Sequence, residues 1–286
     1  MSDRLGGGYE AMVQGGLVPS RSIGKAVKAI KRWVAYGHWA RSFDPTWEPL
    51  ALRASRTLDA VPAIAKSEPE AKRLLRAAGV PVPQGELAHS FESAVEIANR
   101  IGWPVVLKIA SADILHKSEV GGVILGVRNL DDLDVAWKRL ESSADALRGS
   151  ARVDGVLVER MAAASGIEVL VGVTRDPVFG PVMTFGMGGV LVELLKDVSR
   201  QVLPLTRDSA LTMIGSTKCS ALLSGYRSRP AGDVEALVQL LMRVSDFVAS
   251  HLDVLDELEL NPIWVGSRDG AQGAVVLDAV MTVKEA

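Results

Sequence analysis

From Ser67 onward the chain alternates short β-branched runs with amphipathic helical stretches, each ended by glycine or proline. That alternation constrains the fold more than any other feature, because strands of five to seven residues between helices build sheets with helical cover, not a bundle or a sandwich. Ser67 and Glu70 have the spacing of a capping box, with Pro69 in the first turn, and Ala71, Leu74, Leu75 and Ala78 form one apolar face. Gly79 ends that helix, and Val80-Pro81-Val82-Pro83 is extended. A second helix is predicted over 90–101, stopped by Gly102, and Pro104–Ala110 reads as a buried strand. Strands are predicted at 123–127, 155–159, 167–173, 258–265 and 274–278, and helices at 131–147 and 233–250. The Gly-rich segment Phe185–Gly189 leads to a helix or strand carrying Glu193, Lys196 and Asp197. The expected class is α+β (α/β) with at least two sheets.

Before residue 65 the composition differs. Glycines open the chain, and a basic helix follows over 22–40, with Ile23, Val27, Ile30 and Val34 at helical spacing. Trp33, Tyr36, Trp39, Phe43 and Trp47 crowd together here, either as a helix docked on its own domain or as a contact for a partner. The balance of 48% hydrophobic and 23% charged residues over 286 residues is that of a core-forming chain. A net charge of -2 argues against binding nucleic acid or anionic membranes by bulk charge. The longest uncharged stretch, 177–192, is broken by Pro181, Gly186, Gly188 and Gly189 and is too short to span a bilayer. The first residues lack an apolar signal region, and Cys219 is the one cysteine, so a reducing cytoplasm is expected.

Several groups stand out chemically. Lys108 lies in an apolar strand, where a lysine is costly unless paired or bound to an anion; the bland alternative is a strand end reaching solvent. The loop 111–122 gathers Ser111, Asp113, His116, Lys117, Gly121 and Gly122, a mix of hydroxyl, imidazole, ammonium and glycine-freed amides that suits phosphate. Glu159 and Glu168 occupy successive strands, either facing solvent or hydrogen-bonding the base and ribose of a nucleotide. Period two puts Glu259 and Asn261 on one strand face, and Asp278 interrupts another apolar strand. Two carboxylates and an amide oxygen suit Mg²⁺ with waters retained. A turn at Asn261-Pro262 and a polar chain end at Asp278 are the plain alternatives.

Taken in order, Val106-Leu107-Lys108-Ile109, the block Asp113–Val123, Asp176–Pro181, Phe185–Gly189 with Glu193, Lys196–Ser199 and Glu257–Pro262 resemble the ATP-grasp subunit or domain of ADP-forming (NDP-forming) acyl-CoA synthetases, relatives of succinyl-CoA synthetase β subunits. The resemblance covers 66–286 and implies two α+β lobes clamping a nucleotide, one about 66–160 and the other about 161–286, after an N-terminal arm and linker over 1–65. It implies that Lys108 holds ATP phosphates, with Ser111, Gly121, Gly122 and Lys196 nearby. Glu159 with the Arg160-Met161 backbone would form the adenine hinge, and Glu168 would bind ribose. Asn261 and Asp278, with Glu259 beside them, would hold Mg²⁺. His116 would relay phosphate between ADP and a phosphohistidine on a partner. Ala112, Glu119 and Ser228 stand where the family often has Pro, Asp and Gly. The arm looks like the last helix of a preceding CoA-ligase domain. The implied activity is acid + CoA + ATP = acyl-CoA + ADP + phosphate, in a hetero-oligomer whose partner binds CoA and the carboxylic acid. A stand-alone ATP-grasp carboxylate–amine ligase, or a non-catalytic ATP-sensing subunit, are the alternative readings.

Overall fold

A computed structural model describes residues 14–15, 22–42, 47, 67–114, 117–147, 151–163, 166–189, 197–227, 229–268, 270 and 273–283. The chain divides into two units, Met1–Trp47 and Glu48–Ala286. In the first, helix α1 (Ile23–Ser42) carries exposed Ile23, Val27, Ile30, Trp33, Val34 and Tyr36. Phe43 and the side chain of Trp39 lie outside the described residues, as do residues 48–66.

The second unit holds two antiparallel sheets. The first has the order β1-β4-β2-β3, from β1 (Gly85–Ala88), β2 (Val105–Ala110), β3 (Val123–Val127) and β4 (Gly155–Arg160). Val105, Leu107 and Ile109 on β2 and Val156 and Val158 on β4 face helices α3 (Phe91–Ile101) and α4 (Leu130–Ala146), meeting Ile97, Ala98, Leu133, Trp137 and Leu140. Yet all six residues of β2 are buried, so its other face, with Val106 and Lys108, is covered as well. The register pairs Val106 with Glu159 and Lys108 with Leu157, which makes Lys108 and Glu159 diagonal neighbours on that face.

The second sheet runs β10-β8-β5-β6-β7, with β9 beside β8. Its strands are β5 (Ile167–Asp176), β6 (Gly180–Met187), β7 (Val198–Val202), β8 (Leu255–Val265), β9 (Ala274–Val276) and β10 (Ala279–Val283). Helix α7 (Val234–Ser250) packs Leu237, Leu241, Val244 and Val248 on it, and α5 (Arg207–Gly215) and the short α6 (Cys219–Leu223) pack on it as well. Helix α2 (Glu68–Ala77) also joins this core, through Ala71 and Leu75. Among the described residues no helix is long and apolar enough to cross a membrane.

Four sequence expectations are corrected. Residues 67–80 pack with the second lobe's core, not the first, because Ala71, Leu75 and Val80 find their apolar partners there. Ser67 takes the N-cap position, but its side chain makes no capping bond. Ala78 is exposed, and the buried face of α2 instead includes Glu68 and Lys72. The run 274–278 is not one strand: it breaks at Leu277-Asp278, where the Val276 and Leu277 amides are drawn to the carbonyls of Pro81 and Pro262. Helices α5 and α6 were not expected from the pattern; α5 is fixed by a Thr206–Ser209 capping box more than by an apolar stripe.

Candidate nucleotide site

The covered face of the first sheet meets the second lobe through a buried ionic cluster. Lys108 is 7% exposed and does not reach solvent as a strand-end lysine would. Its ammonium donates to Glu68 Oε1 at 2.7 Å and to the Leu277 carbonyl at 2.5 Å, and lies 3.1 Å from Glu159 Oε2. Lys72, 2% exposed, bonds Glu159 Oε1 and Oε2 at 2.6 and 2.7 Å. Lys117 reaches Glu68 Oε2 at 2.8 Å and stands 3.6 Å from Asp278 Oδ1. Three lysines therefore face three carboxylates, drawn from both lobes.

Burial alone would drive each of these groups toward its neutral form, and the partners decide what happens. For Glu68 burial is outweighed by Lys72, Lys108 and Lys117, which hold its carboxyl well below the ordinary range. For Lys108 burial is outweighed by Glu68, Glu159 and Asp278, and its ammonium is held more firmly than an exposed one. Lys72 goes the other way: burial, with the Lys108 charge beside it, lowers its pKa despite Glu68 and Glu159. Asp278 is pushed up by burial and by the charge of Glu68.

Beside the cluster opens a cavity of about 540 Å³. Lys108, Glu159 and Asp278 form its polar end; Val106, Leu125, Ile167, Met187, Pro262 and Trp264 form an apolar wall. The strand end Arg160–Ala163, Glu168 and Arg229 also line it. A slot with an apolar wall and a charged end that presents a lysine suits a base joined to phosphates. Gly166 lets the Trp264 indole close in, since a Cβ there would fall 2.0 Å from Nε1. Gly188 donates to the Glu168 carbonyl at 3.0 Å, and a Cβ on Gly189 would lie 2.4 Å from Glu168 Oε2, so this turn hugs the expected ribose carboxylate.

Other expected residues are placed differently. Both Glu159 oxygens are ion-paired, so its carboxylate serves the lysines and not a base. The amides of Arg160 and Met161 are donated to the carbonyls of Gln84 and Pro104, although both residues line the cavity. Ser111 Oγ accepts from the Asp113 amide, and the Gly121 and Gly122 amides bond the Ser118 and Lys117 carbonyls. These groups shape the loop; among the cavity-lining residues the loop contributes Ser118. His116, Glu193 and Lys196 lie outside the described residues. Glu68 and Lys72 are the functional side chains that the sequence reading did not single out for this site, and Lys117, expected in the phosphate-suited loop, is instead paired with Glu68.

The β8–β10 register pairs Val280 with Glu259 and Ala279 with Leu260, which carries Asp278 opposite Asn261. Asn261 Oδ1 accepts from the Gly189 amide at 3.2 Å, and its Nδ2 lies 3.4 Å from Glu259 Oε1. Among the described residues no three His, Cys, Asp or Glu side chains group closely enough to hold a metal alone. Asp278 lines the slot, while Asn261 and Glu259 are not among its lining residues; the three are hard oxygen donors, a set that fits Mg²⁺ when water and phosphate oxygens fill the remaining positions.

Residues 63–283 match the family described as ATP-grasp domain. Over 217 residues the chain is 40% identical to the β subunit of acetate–CoA ligase (ADP-forming) II of Pyrococcus furiosus, covering 76% of this chain and 91% of that subunit. Acetate–CoA ligase (ADP-forming) I of Archaeoglobus fulgidus is 42% identical over 212 residues, covering 74% of this chain and 30% of that one. The structure of dinucleotide-forming acetyl-coenzyme A synthetase 1 from Ca. Korarchaeum cryptofilum with coenzyme A, Ca-AMPCP and HgCl⁺ gives a TM-score of 0.72 at 35% identity, over 82% of this chain and 98% of that one. The same protein with coenzyme A and Mg-AMPPCP, its phosphohistidine segment pointing towards the nucleotide binding site, gives 0.65 at 35% identity, over 77% and 93%.

Proposed function

This chain belongs to the ATP-grasp family, among the β subunits and β-like domains of ADP-forming acyl-CoA ligases, and from that membership we propose that it is the nucleotide-handling subunit of such an enzyme. The reaction is acid + CoA + ATP = acyl-CoA + ADP + phosphate. The observation that carries this reading is the slot between the lobes, apolar on one wall and closed at its end by Lys108 and Asp278.

Each group has a distinct task. The Trp264, Met187 and Leu125 side chains hold the base, and Glu168 meets the ribose. Lys108 faces the phosphates, where positive charge is most of what phosphoryl transfer asks of a protein. Asp278, Asn261 and Glu259 would hold Mg²⁺, which supplies charge neutralisation on the phosphate oxygens. His116 receives the phosphoryl group: its neutral ring nitrogen bonds to the γ-phosphorus as the bond to the bridging oxygen breaks and ADP leaves. A CoA-binding partner then takes the phosphoryl group and supplies CoA and the acid, a reading supported by the relative's being named a β subunit. The aromatic set on and after α1, with Trp33, Tyr36 and Trp47, is the surface assigned to that partner.

The test is labelling with γ-radiolabelled ATP and Mg²⁺. Acid-labile label is expected on the wild-type chain and none on His116→Asn. Undiminished label on His116→Asn refutes the relay.

A further inference from the structure

Lys108 and Lys72 hold the same three acceptors. Lys108 Nζ stands 2.7 Å from Glu68 Oε1, 2.5 Å from the Leu277 carbonyl and 3.1 Å from Glu159 Oε2. Lys72 Nζ stands 2.7 Å from each of these oxygens and 2.6 Å from Glu159 Oε1 as well. An ammonium has three protons. Lys108, as it lies, is occupied by two hydrogen bonds and an ion pair to protein oxygens, so engaging a phosphate means giving some of these up.

The two lysines differ in what they face. Lys108 lines the nucleotide slot. Lys72 lies behind it, on a separate recess of about 320 Å³ with Pro69, Arg73 and Arg76. If Lys108 alone neutralised Glu159, turning it to a phosphate would strand a buried carboxylate without its cation, a heavy cost in such surroundings. With Lys72 present nothing is stranded. Lys72 directs its three protons at both Glu159 oxygens and the Leu277 carbonyl, and Glu68 stays ion-paired with Lys117 and lies 2.7 Å from the Lys72 ammonium.

We propose that Lys72 is a positioning residue that frees Lys108 for the nucleotide: it is the standing counter-ion of Glu159 and Glu68, and Lys108 is the exchangeable one. Two ammonium groups sharing three acceptors repel, so an incoming triphosphate draws off Lys108, the one that faces the slot. Lys72 touches no nucleotide and acts through Lys108. This rests on the reading of Lys108 as the phosphate-binding lysine.

Calorimetry with Mg-AMPPCP on the full chain tests it, using three variants. Lys72→Met is expected to trap Lys108 on Glu159 and weaken binding by about tenfold or more. Adding Glu159→Gln removes the charge that traps Lys108, and most of the affinity returns. A Lys72 that only supported the fold would not give that recovery. Lys108→Met reports on the underlying reading: wild-type affinity there overturns the phosphate role of Lys108 itself. Loss in Lys108→Met together with wild-type affinity in Lys72→Met overturns the exchange alone. So does a weakened Lys72→Met that Glu159→Gln does not rescue. Should Lys72→Met fail to fold, a crystal structure of the wild-type chain with Mg-AMPPCP decides. Lys108 is expected on phosphate with Lys72 still on Glu159; Lys108 unmoved, or Lys72 moved in its place, refutes the proposal.

Discussion

Glu68→Gln isolates the energetic role of the ionic cluster. Glu68 is 3% exposed, its Oε1 lies 2.7 Å from both Lys72 and Lys108, and its Oε2 lies 2.8 Å from Lys117. The substitution preserves shape but leaves three buried lysines against Glu159 and Asp278. Removing one partner of a buried pair costs about 3–5 kcal/mol, because the uncompensated charge cannot reach water. An exposed pair would cost at most about 1 kcal/mol. At roughly 2–4 °C per kcal/mol for a domain of this size, the melting temperature should fall by roughly 6–20 °C. The pH dependence adds a second check. The folded Glu68 carboxyl is held well below its ordinary value of 4.5, so its stabilisation is complete above that value and is lost as pH falls through the depressed one. The gap between wild type and Glu68→Gln should therefore be widest near neutral pH and narrow as the pH drops below about 4. Urea unfolding at pH 7 and in acid measures both effects. A loss below about 1 kcal/mol at pH 7, or a gap that does not narrow in acid, refutes the claim that this cluster is a tightly coupled buried unit.

Two further perturbations address the slot and the lobe seam. Gly166→Ala places a methyl 2.0 Å from Trp264 Nε1, so the indole must swing from the cavity wall; Mg-AMPPCP affinity should fall by about tenfold, while overpacking costs about 1–3 kcal/mol in unfolding. Leu75 is fully buried where α2 meets the second sheet, and Leu75→Ala should cost about 2–5 kcal/mol by urea denaturation. A cost below about 1 kcal/mol would mean that α2 is not part of that core.

How much of this was legible depended on whether a residue's neighbours lie nearby in sequence. The β-branched run at Val105–Ala110, the Ser90 cap and the helix starting at Asp233 announce themselves, because strand period, caps and apolar stripes are local signals. Lys108 was legible as an anomaly, and Asp278 as an acceptor in an apolar strand. The environment of Glu159 was not, since its lysine partners come from β2 and from α2, 87 residues away in the case of Lys72. The break at Leu277-Asp278 was hidden as well, because the sequence there still reads as one apolar run.

Glu68 and Lys72 carry the more general lesson. On α2 they sit four apart, in phase with the buried Ala71 and Leu75, yet their charges invite the reading that they face water. The face read from the sequence, Ala71, Leu74, Leu75 and Ala78, counts apolar residues alone and so leaves out both charges, although they share the buried side with Ala71 and Leu75. A charged pair at i and i+4 that shares its phase with small and branched apolar residues is one signal for a buried ionic site. A lone lysine in a fully apolar strand is another. Neither decides alone, but opposite unmet needs in separate elements do: the strand lysine requires carboxylates, and the helix glutamate requires cations. Their meeting ties the helix preceding the first sheet to that sheet, although its apolar residues pack on the second. Its apolar side chains anchor it to one lobe, and its charges reach the phosphate end of the slot formed with the other.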